Sequence, residues 1–226
     1  MVKIERSFPA PASLAEEAKK KNGSYSKSDV IERLRQDFHN KCYICEMKEL
    51  QDPQVEHRLP HKNGKYPQRK FDWENLFWVC GHCNQVKNQS VYDDGILDCC
   101  KRDPERYISF RCNQEDVQLN RKTAAAGCQE EDAEIDRTMA LVRDVFNLRN
   151  TGMRTYTSDI RFKKLQKEMN ILFDNLEKIK QHPNSKVTAM KLKALLSRES
   201  AFAAFKRCYV REHLSEYPAL QAYISF

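Results

Sequence analysis

Two Cys-x-x-Cys pairs constrain the folding of this chain more than any other feature of its sequence. The pairs are Cys42-Tyr-Ile-Cys45 and Cys80-Gly-His-Cys83. Four thiolates in two such pairs can bind one tetrahedral Zn²⁺, and in a reducing compartment they are metal ligands more often than disulfides. The sequence therefore predicts a structural zinc ion that closes the segment between the two pairs.

The other sulfur and imidazole groups near these pairs leave alternatives open. His82 lies inside the second pair and is an alternative zinc ligand, although four thiolates complete the set without it. The remaining cysteines are expected to be small buried thiols, since free cysteine is common in protein cores; they are Cys99, Cys100, Cys112, Cys128 and Cys208.

Positive charge is concentrated in the last third of the chain. The 226 residues carry a net charge of +7, and residues 151–226 hold 14 Lys and Arg against 7 Asp and Glu, a difference of 7 that accounts for all of it. Such a region suits a polyanionic partner. A solvated helix surface is the equally good alternative.

The chain shows no sign of a membrane segment. No run of 18 apolar residues is present, and the first residues contain no apolar stretch of the length that a secretion signal needs. We therefore expect a cytoplasmic protein with no membrane partner.

The pattern of residue types divides the chain into four parts. Residues 1–27 form an extended arm with a short helix, which the Ser13–Glu16 capping box would begin, and this arm is a candidate docking segment for a partner. A central module covers 28–100, in which Gln54–Leu59 and Leu76–Val79 are predicted strands joined by a polar loop, with a helix from about Asn84. Residues 101–129 form a connector with room for one hairpin.

The fourth part, residues 130–226, is predicted to be a basic helical bundle. Apolar residues recur there at intervals of three and four, as on one face of a helix; they are Phe162, Leu165, Met169, Leu172, Leu176 and Ile179. His182-Pro183-Asn184 would end that helix. The fold class is therefore α+β, and the apolar stripe is expected to be core packing rather than a cofactor site.

The segment between the cysteine pairs offers the groups that phosphodiester hydrolysis requires. His57 is a candidate general base, because imidazole is partly neutral at cellular pH. Glu56 and Asn84 offer oxygen atoms of the kind that Mg²⁺ prefers. Asn75 is a candidate for bracing the loop through backbone hydrogen bonds, and Lys87 is a candidate phosphate contact.

Each of these residues also has an ordinary structural interpretation. A Glu-His pair is usually a surface pair, and the two asparagines suit a turn and a helix cap. Adjacent residues of a strand point to opposite faces, so Glu56 and His57 can share a site only where the strand bends or ends. His61 is an alternative metal or phosphate ligand, although an exposed loop histidine is the simpler interpretation.

In combination, the motifs resemble those of the cysteine-bearing HNH endonucleases. The order is Cys-x-x-Cys, Glu56-His57, Glu74-Asn75-Leu76, then Cys-x-x-Cys-Asn84-x-x-Lys87. The resemblance implies a ββα-metal hairpin and helix above the structural zinc. It also implies that His57 is the general base, Asn75 the middle asparagine, and Glu56 and Asn84 the ligands of a catalytic Mg²⁺ or Mn²⁺. The family's commoner residues at those last two positions are Asp and His.

The flanking sequence resembles the HNH nuclease subunit of Septu and retron-associated antiphage systems. This similarity rests on the N-terminal arm, Val55–Pro60, Asp103-Pro104-Glu105 and the basic C-terminal helices. It implies a bacterial defence effector that works with an ATPase of the ABC or SMC-like class, and, in retron-linked relatives, with a reverse transcriptase and its RNA–DNA product. It implies DNA as the usual substrate, with transfer RNA as the alternative.

Two further interpretations of the whole chain remain open from the sequence. The basic residues of the C-terminal part are expected to hold either a nucleic-acid backbone or an ATPase surface; the candidates are Arg161, Lys163, Lys164 and Lys167. A zinc-stapled binding module without catalysis, or a subunit whose main task is to bind the ATPase, would explain the same knuckles.

Overall fold

The protein has a mixed α+β fold, seen here in a computed structural model that describes residues 1–122, 129–147 and 153–222. Each of its two sheets contains two antiparallel strands. Helices surround both sheets, and the predicted α+β class is confirmed at this level.

The central module is a strand pair followed directly by a helix. Strand β1 (Pro53–His57) pairs with β2 (Leu76–Cys80), and Val55 lies opposite Trp78. Helix α3 (Gly81–Lys87) begins at the residue after β2 and packs against both strands. All residues of β2 are buried, as expected for a strand that is apolar at every position. The prediction gave the first residue of β2 correctly and ended that strand one residue early. It ended β1 two residues late, at Leu59, and began the helix about three residues late, at Asn84.

The N-terminal arm is part of the core. Met1, Val2 and Ile4 are buried, and the Ile4 amide donates to the Cys99 carbonyl at 3.0 Å. The Arg6 guanidinium lies 4.8 Å from the Trp73 ring and donates to the Trp73 carbonyl and to the carbonyl of Leu76, the first residue of β2. These contacts fix the arm beside β2, and its predicted role in partner docking remains a prediction.

Helices α1 (Ala12–Glu17) and α2 (Ser28–Asp37) follow the arm. The predicted capping box does not form, because the Ser13 hydroxyl donates to Asp29 Oδ1 at 2.6 Å instead of binding its own helix. Ser13 therefore ties α1 to α2.

The connector contains short helix α4 (Pro104–Tyr107) and one hairpin, β3 (Ile108–Cys112) with β4 (Val117–Arg121). Helices α5 (Gln129–Asn147), α6 (Met153–Gln181), α7 (Lys186–Leu195) and α8 (Ala203–Glu212) form the rest of the described chain. The predicted apolar stripe of α6 is buried throughout.

Helix packing joins the connector to the C-terminal part. Helix α8 packs on β3 and α5 packs on β4, while α6 contacts α5 and α7. Of the cysteines outside the pairs, Cys99 and Cys208 are buried as expected, Cys100 and Cys112 are half-buried, and Cys128 lies outside the described residues. No helix within the described ranges is both long and apolar enough to cross a bilayer.

Candidate active site and metal centre

The two cysteine pairs converge on one buried cluster. The Sγ atoms of Cys42, Cys45, Cys80 and Cys83 all lie within 4.8 Å of one another, and the pair Cys45–Cys80 is 4.0 Å apart. Zinc–sulfur bonds of about 2.3 Å place thiolates about 3.8 Å apart in a tetrahedron. The geometry and the sulfur donor set therefore fit one structural metal ion such as zinc.

Backbone hydrogen bonds shape the first knuckle and attach it to the sheet. The Cys42 amide donates to the Met47 carbonyl at 3.0 Å, and the Glu46 amide donates to the Cys42 carbonyl at 2.9 Å. The Tyr43 amide donates to the Trp78 carbonyl of β2 at 3.1 Å. The second pair is positioned by regular secondary structure, because it spans the end of β2 and the first turn of α3.

Arg161 lies beside this cluster rather than on the surface. It is 5% exposed and donates to Cys80 Sγ at 3.1 Å. Burial alone would lower the pKa of its guanidinium, but the neighbouring thiolates, Cys80 first, outweigh burial and raise it. Arg161 is therefore placed to offset thiolate charge, and this position does not support its predicted contact with nucleic acid.

His82 faces away from the cysteine sulfurs. Its Nε2 lies 3.1 Å from the Val145 carbonyl, and the Thr157 hydroxyl lies 2.8 Å from its Nδ1. The ring therefore joins α3 to α5 and α6, and the alternative of His82 as a zinc ligand is not supported.

Two of the three predicted catalytic residues, His57 and Asn84, meet at a separate surface pocket of about 600 Å³, and Asn75 does not line it. Its walls include Glu56, His57, His61, Asn84 and Lys87. Strand β1 ends at His57 and α3 runs beside it, which brings the last residues of the strand and the polar side of the helix together. The structure thus collects four of the predicted site residues and one of the alternatives, His61, around one cavity.

His57 is held on several sides within this pocket. Its ring packs edge to face against Tyr25, with centroids 4.4 Å apart, and against His61 at 4.9 Å. Its Nε2 lies 3.0 Å from the Lys70 carbonyl oxygen. Burial lowers the pKa of His57 to about 4, although the Lys70 hydrogen bond opposes this effect. The imidazole is therefore neutral at cellular pH.

Glu56 and Lys87 form a buried ion pair directly below His57. Glu56 is 5% exposed, and its Oε2 lies 3.0 Å from Lys87 Nζ. Its Oε1 accepts a hydrogen bond from the Tyr43 hydroxyl. Lys87 Nζ also donates to the His57 carbonyl at 3.0 Å. Lys87 is thus a buried partner of the strand, and this position does not support its predicted contact with phosphate.

Asn75 braces the loop that carries the chain from β1 to β2. The side chain is 4% exposed, its Oδ1 accepts from the Leu59 amide at 2.8 Å, and its Nδ2 donates to the carbonyls of Leu59 and Arg69. All of its hydrogen-bonding groups face the backbone. Asn75 therefore fixes the loop that supplies the Lys70 carbonyl to His57.

Asn84 stands at the edge of the pocket on the first turn of α3. Its Nδ2 donates to the Gln54 side chain at 2.8 Å. That contact orients the amide and leaves Oδ1 as the acceptor available to a cation. No group of three or more Asp, Glu, His or Cys ligands forms at this pocket among the described residues. A cation here would need Asn84, water and Glu56, and Glu56 already has Lys87 as its counter-ion.

The remaining predicted basic residues lie on the exposed side of α6. Lys163 forms a surface ion pair with Asp159 at 2.7 Å. Lys164 and Lys167 are exposed and line a different pocket, between α6 and α7. None of the three lines the pocket that contains His57.

Several supporting groups could not be found from the sequence. Tyr25 comes from a distant segment, and the Lys70 contact uses only a backbone atom, so neither leaves a pattern at motif spacing. Tyr43 is the one supporting residue with a signal in the sequence. It lies inside the first Cys-x-x-Cys, and a shared metal would bring that pair to the end of β2.

The comparisons with known proteins add no relative to this description. Neither a scan against protein-family models nor a search of curated proteins found a match for the chain.

Proposed function

We propose that this protein is a metal-dependent endonuclease that hydrolyses phosphodiester bonds in the pocket around His57. The observation that carries the proposal is the combination of a neutral, oriented imidazole with Glu56, Asn84 and Lys87 around one cavity, next to a four-cysteine cluster. The arrangement of β1, β2 and α3 is that expected of a ββα-metal module, and the HNH assignment rests on this arrangement and on the motifs.

The hydrogen bond at Lys70 determines which nitrogen of His57 can act as a base. A carbonyl oxygen only accepts, so Nε2 carries the hydrogen and donates it to Lys70. Nδ1 is then the unprotonated nitrogen that can take a proton from an attacking water. Tyr25 and His61 fix the plane of the ring, which limits the directions from which that water can approach.

The residues at the pocket are chemically suited to a hard divalent cation. Asn84 Oδ1 and the Glu56 carboxylate would hold Mg²⁺ or Mn²⁺, with Glu56 joining once Lys87 moves from it. Such an ion, when bound, supplies stabilisation of negative charge on the phosphate and on the leaving oxygen. The chain's own part is to deprotonate water at His57 and to keep the loop rigid through Asn75.

The biological setting is proposed from the sequence resemblance. It is that of an effector in a bacterial antiphage complex, with an ABC or SMC-like ATPase and, in a retron-linked system, a reverse transcriptase and its RNA–DNA product. Phage DNA is the first substrate to test and transfer RNA the second.

The direct test compares wild type with His57→Ala on plasmid DNA and transfer RNA in Mg²⁺ or Mn²⁺, with and without the ATPase. Loss of a general base is expected to slow cleavage by about 10²- to 10⁴-fold, with the thermal unfolding midpoint and zinc content unchanged. His182→Ala, at an exposed histidine outside the pocket, is the matched control. Equal cleavage by wild type and His57→Ala would show that the base assignment is wrong.

One observation favours a second candidate, a zinc-stapled binding module without catalysis. Both Glu56 oxygens already have protein partners, and the other carboxylate in the pocket wall, Asp93, is paired with Lys62 at 2.7 Å. This candidate predicts nucleic-acid or ATPase binding by wild type with no cleavage in either metal.

A further inference from the structure

The pocket that contains His57 is one end of a longer surface groove. It shares Asn84 and Asn88 with a neighbouring pocket of about 1100 Å³. That pocket in turn shares Glu49 and Lys164 with a third, of about 630 Å³, between α6 and α7. Because each pocket shares wall residues with the next, the three adjoin one another in a row, and we call this row the α6 groove.

Helix α6 forms one wall of this groove over much of its length. Thr157 lines the middle pocket and Asn175 lines the far one. Between them the helix rises about 27 Å at 1.5 Å per residue. At about 3.4 Å per nucleotide along one strand, that length corresponds to roughly eight nucleotides.

Charge is unevenly distributed along the path. Around the middle pocket, Arg161 and Lys164 are balanced by Glu49 and Asp52. The far pocket is basic, because five lysines line it against two glutamates, Glu49 and Glu168. Lys206 is paired with Glu168 at 2.9 Å, which leaves four more lysines. Among the described residues those four have no ion-pair partner; they are Lys48, Lys164, Lys167 and Lys191.

The lysines of the far pocket surround an apolar floor. Ile171 is partly exposed there, and Phe202 is buried beneath it with its backbone in the left-handed region, at φ 50°. The Phe202 amide donates to the Glu46 carbonyl at 3.1 Å, which holds this residue against the first knuckle. The pocket thus places lysine ammonium groups around an apolar surface. The ammonium groups suit the phosphates of a nucleic-acid strand, and the apolar surface suits its sugars and bases.

We propose that the α6 groove binds the backbone of the nucleic-acid substrate and leads it from the far lysines to His57. The inference rests on the proposed nuclease function only for the identity of the cleavage site. A nucleic-acid strand is favoured over an acidic protein surface because the lysines line a concave path that continues into the pocket of His57.

The test measures oligonucleotide binding in a His57→Ala background, so that cleavage cannot interfere. The test variant adds Lys48→Gln, Lys164→Gln, Lys167→Gln and Lys191→Gln, followed by fluorescence anisotropy with labelled single-stranded and duplex oligonucleotides over a salt series. Removing four phosphate contacts is expected to reduce the slope of log K against log salt by about 3. Affinity for single strands is expected to rise with length up to about eight nucleotides and then level off.

The matched control replaces four exposed lysines on the same helices that lie outside the three pockets: Lys178, Lys180, Lys186 and Lys193. The proposal predicts that this control keeps the parent affinity and salt slope. Equal losses of affinity in both variants would indicate non-specific electrostatic attraction to the whole surface and would overturn the proposed groove. Unchanged binding by the test variant would overturn it as well, and would leave an acidic protein as the partner of these lysines.

A competition experiment distinguishes a site for a nucleic-acid strand from a site for a small phosphate ligand. Pyrophosphate and ATP are expected to displace the oligonucleotide only weakly, because each can satisfy only part of the groove. Tight, length-independent competition would indicate a small-molecule site and would overturn the proposal. Cleavage is measured separately with wild type. If binding depends on the four lysines but nothing is cleaved, the proposed nuclease function is refuted and the groove is not. If substrate is cleaved but binding does not depend on the four lysines, only the groove is refuted.

Discussion

Burial keeps His57 neutral, which is the form that accepts a proton, but the lowered pKa also makes the ring a weaker base than free imidazole. In water an imidazole is partly protonated near neutral pH, but the pocket removes solvent from the ring and places Lys87 and Lys70 nearby. Both effects disfavour the imidazolium. The hydrogen bond to Lys70 then selects the tautomer, so protonation state and orientation are set by different contacts.

The lowered pKa predicts how activity depends on acidity. Because the pKa of His57 is about 4, the base stays neutral as the pH falls through 6.5 and becomes protonated only near 4. We expect kcat/KM for cleavage to be flat from pH 8 to about pH 5.5 and to decrease below it. A pH-rate profile with its acid midpoint near 6.5 would contradict this assignment.

Lys87 is the counter-ion of the buried Glu56 carboxylate. Removing one partner of a buried ion pair leaves an uncompensated charge and costs about 3–5 kcal/mol. Lys87→Met is therefore expected to lower the free energy of unfolding by that amount, measured by urea denaturation. In the variant Mg²⁺ is expected to raise the thermal midpoint more than in wild type, since Glu56 becomes available to it.

The matched control for Lys87 is Lys62→Met, which breaks the partly exposed pair with Asp93. Exposed pairs contribute about 0–1 kcal/mol, so this change is expected to have little effect. Equal losses in the two variants would show that the Glu56–Lys87 pair is not buried as described.

At the scale of elements, the ββα module is stabilised from both ends. The cysteine cluster joins the first knuckle to the end of β2 and the start of α3. At the other end, Asn75 and Arg6 hold the loop and the start of β2 through backbone carbonyls. The module itself is short, and two-stranded sheets are only marginally stable alone, so the metal is expected to supply much of its stability.

Loss of one thiolate should therefore unfold the module rather than impair only its chemistry. Structural zinc contributes about 10–16 kcal/mol in small zinc modules, which is comparable with the 5–15 kcal/mol stability of a whole domain. Cys42→Ser is expected to lose bound zinc, measured by metal analysis, together with cooperative thermal unfolding. Cys112→Ser, at a half-buried cysteine outside the cluster, should retain both. A Cys42→Ser protein that stays folded with full zinc would contradict the metal site.

At the scale of the whole molecule, one buried carboxylate joins the connector to the C-terminal helices. Glu105 on α4 accepts hydrogen bonds from Arg207 at 2.9 Å and from Arg211 at 2.6 Å, both on α8. Its neighbour Asp103 caps α4 and pairs with Arg198. The Asp103-Pro104-Glu105 motif is thus a structural junction in this chain.

Glu105→Gln should weaken that junction. Buried Arg207 and partly buried Arg211 lose the charge of Glu105, and we expect a decrease of about 3–5 kcal/mol in the free energy of unfolding. Glu212→Gln removes the partly exposed partner of Arg111 and is the control, with an expected effect of about 0–1 kcal/mol. A urea denaturation series measures both, and equal midpoints would contradict the structural role of Glu105.

Sequence patterns predicted the features of this protein that depend on spacing along the chain. The cysteine spacing predicted one cluster, and the structure confirms four sulfurs within reach of one ion. The period of apolar residues predicted the buried face of α6, which is also confirmed. These features follow from local geometry, because ligand spacing and helix periodicity are properties of neighbouring residues.

Side-chain partners could not be predicted in this way, since they come from segments far apart in the sequence. Lys87 was expected to contact phosphate, and Arg161 a nucleic-acid backbone or an ATPase surface. Lys87 is instead buried against Glu56, and Arg161 against Cys80. A charge pattern does not indicate which cations face solvent and which neutralise an internal anion.

By itself, the sequence determined the mixed α+β class, the cysteine cluster and the set of residues that could perform chemistry. Only the tertiary structure decided that Glu56, His57, Asn84 and Lys87 surround one pocket, that His57 is neutral there, and that two further pockets adjoin it on the side of the α6 lysines. The physical reason is that burial, ion pairing and cavity shape arise when distant segments pack together and remove water from particular side chains.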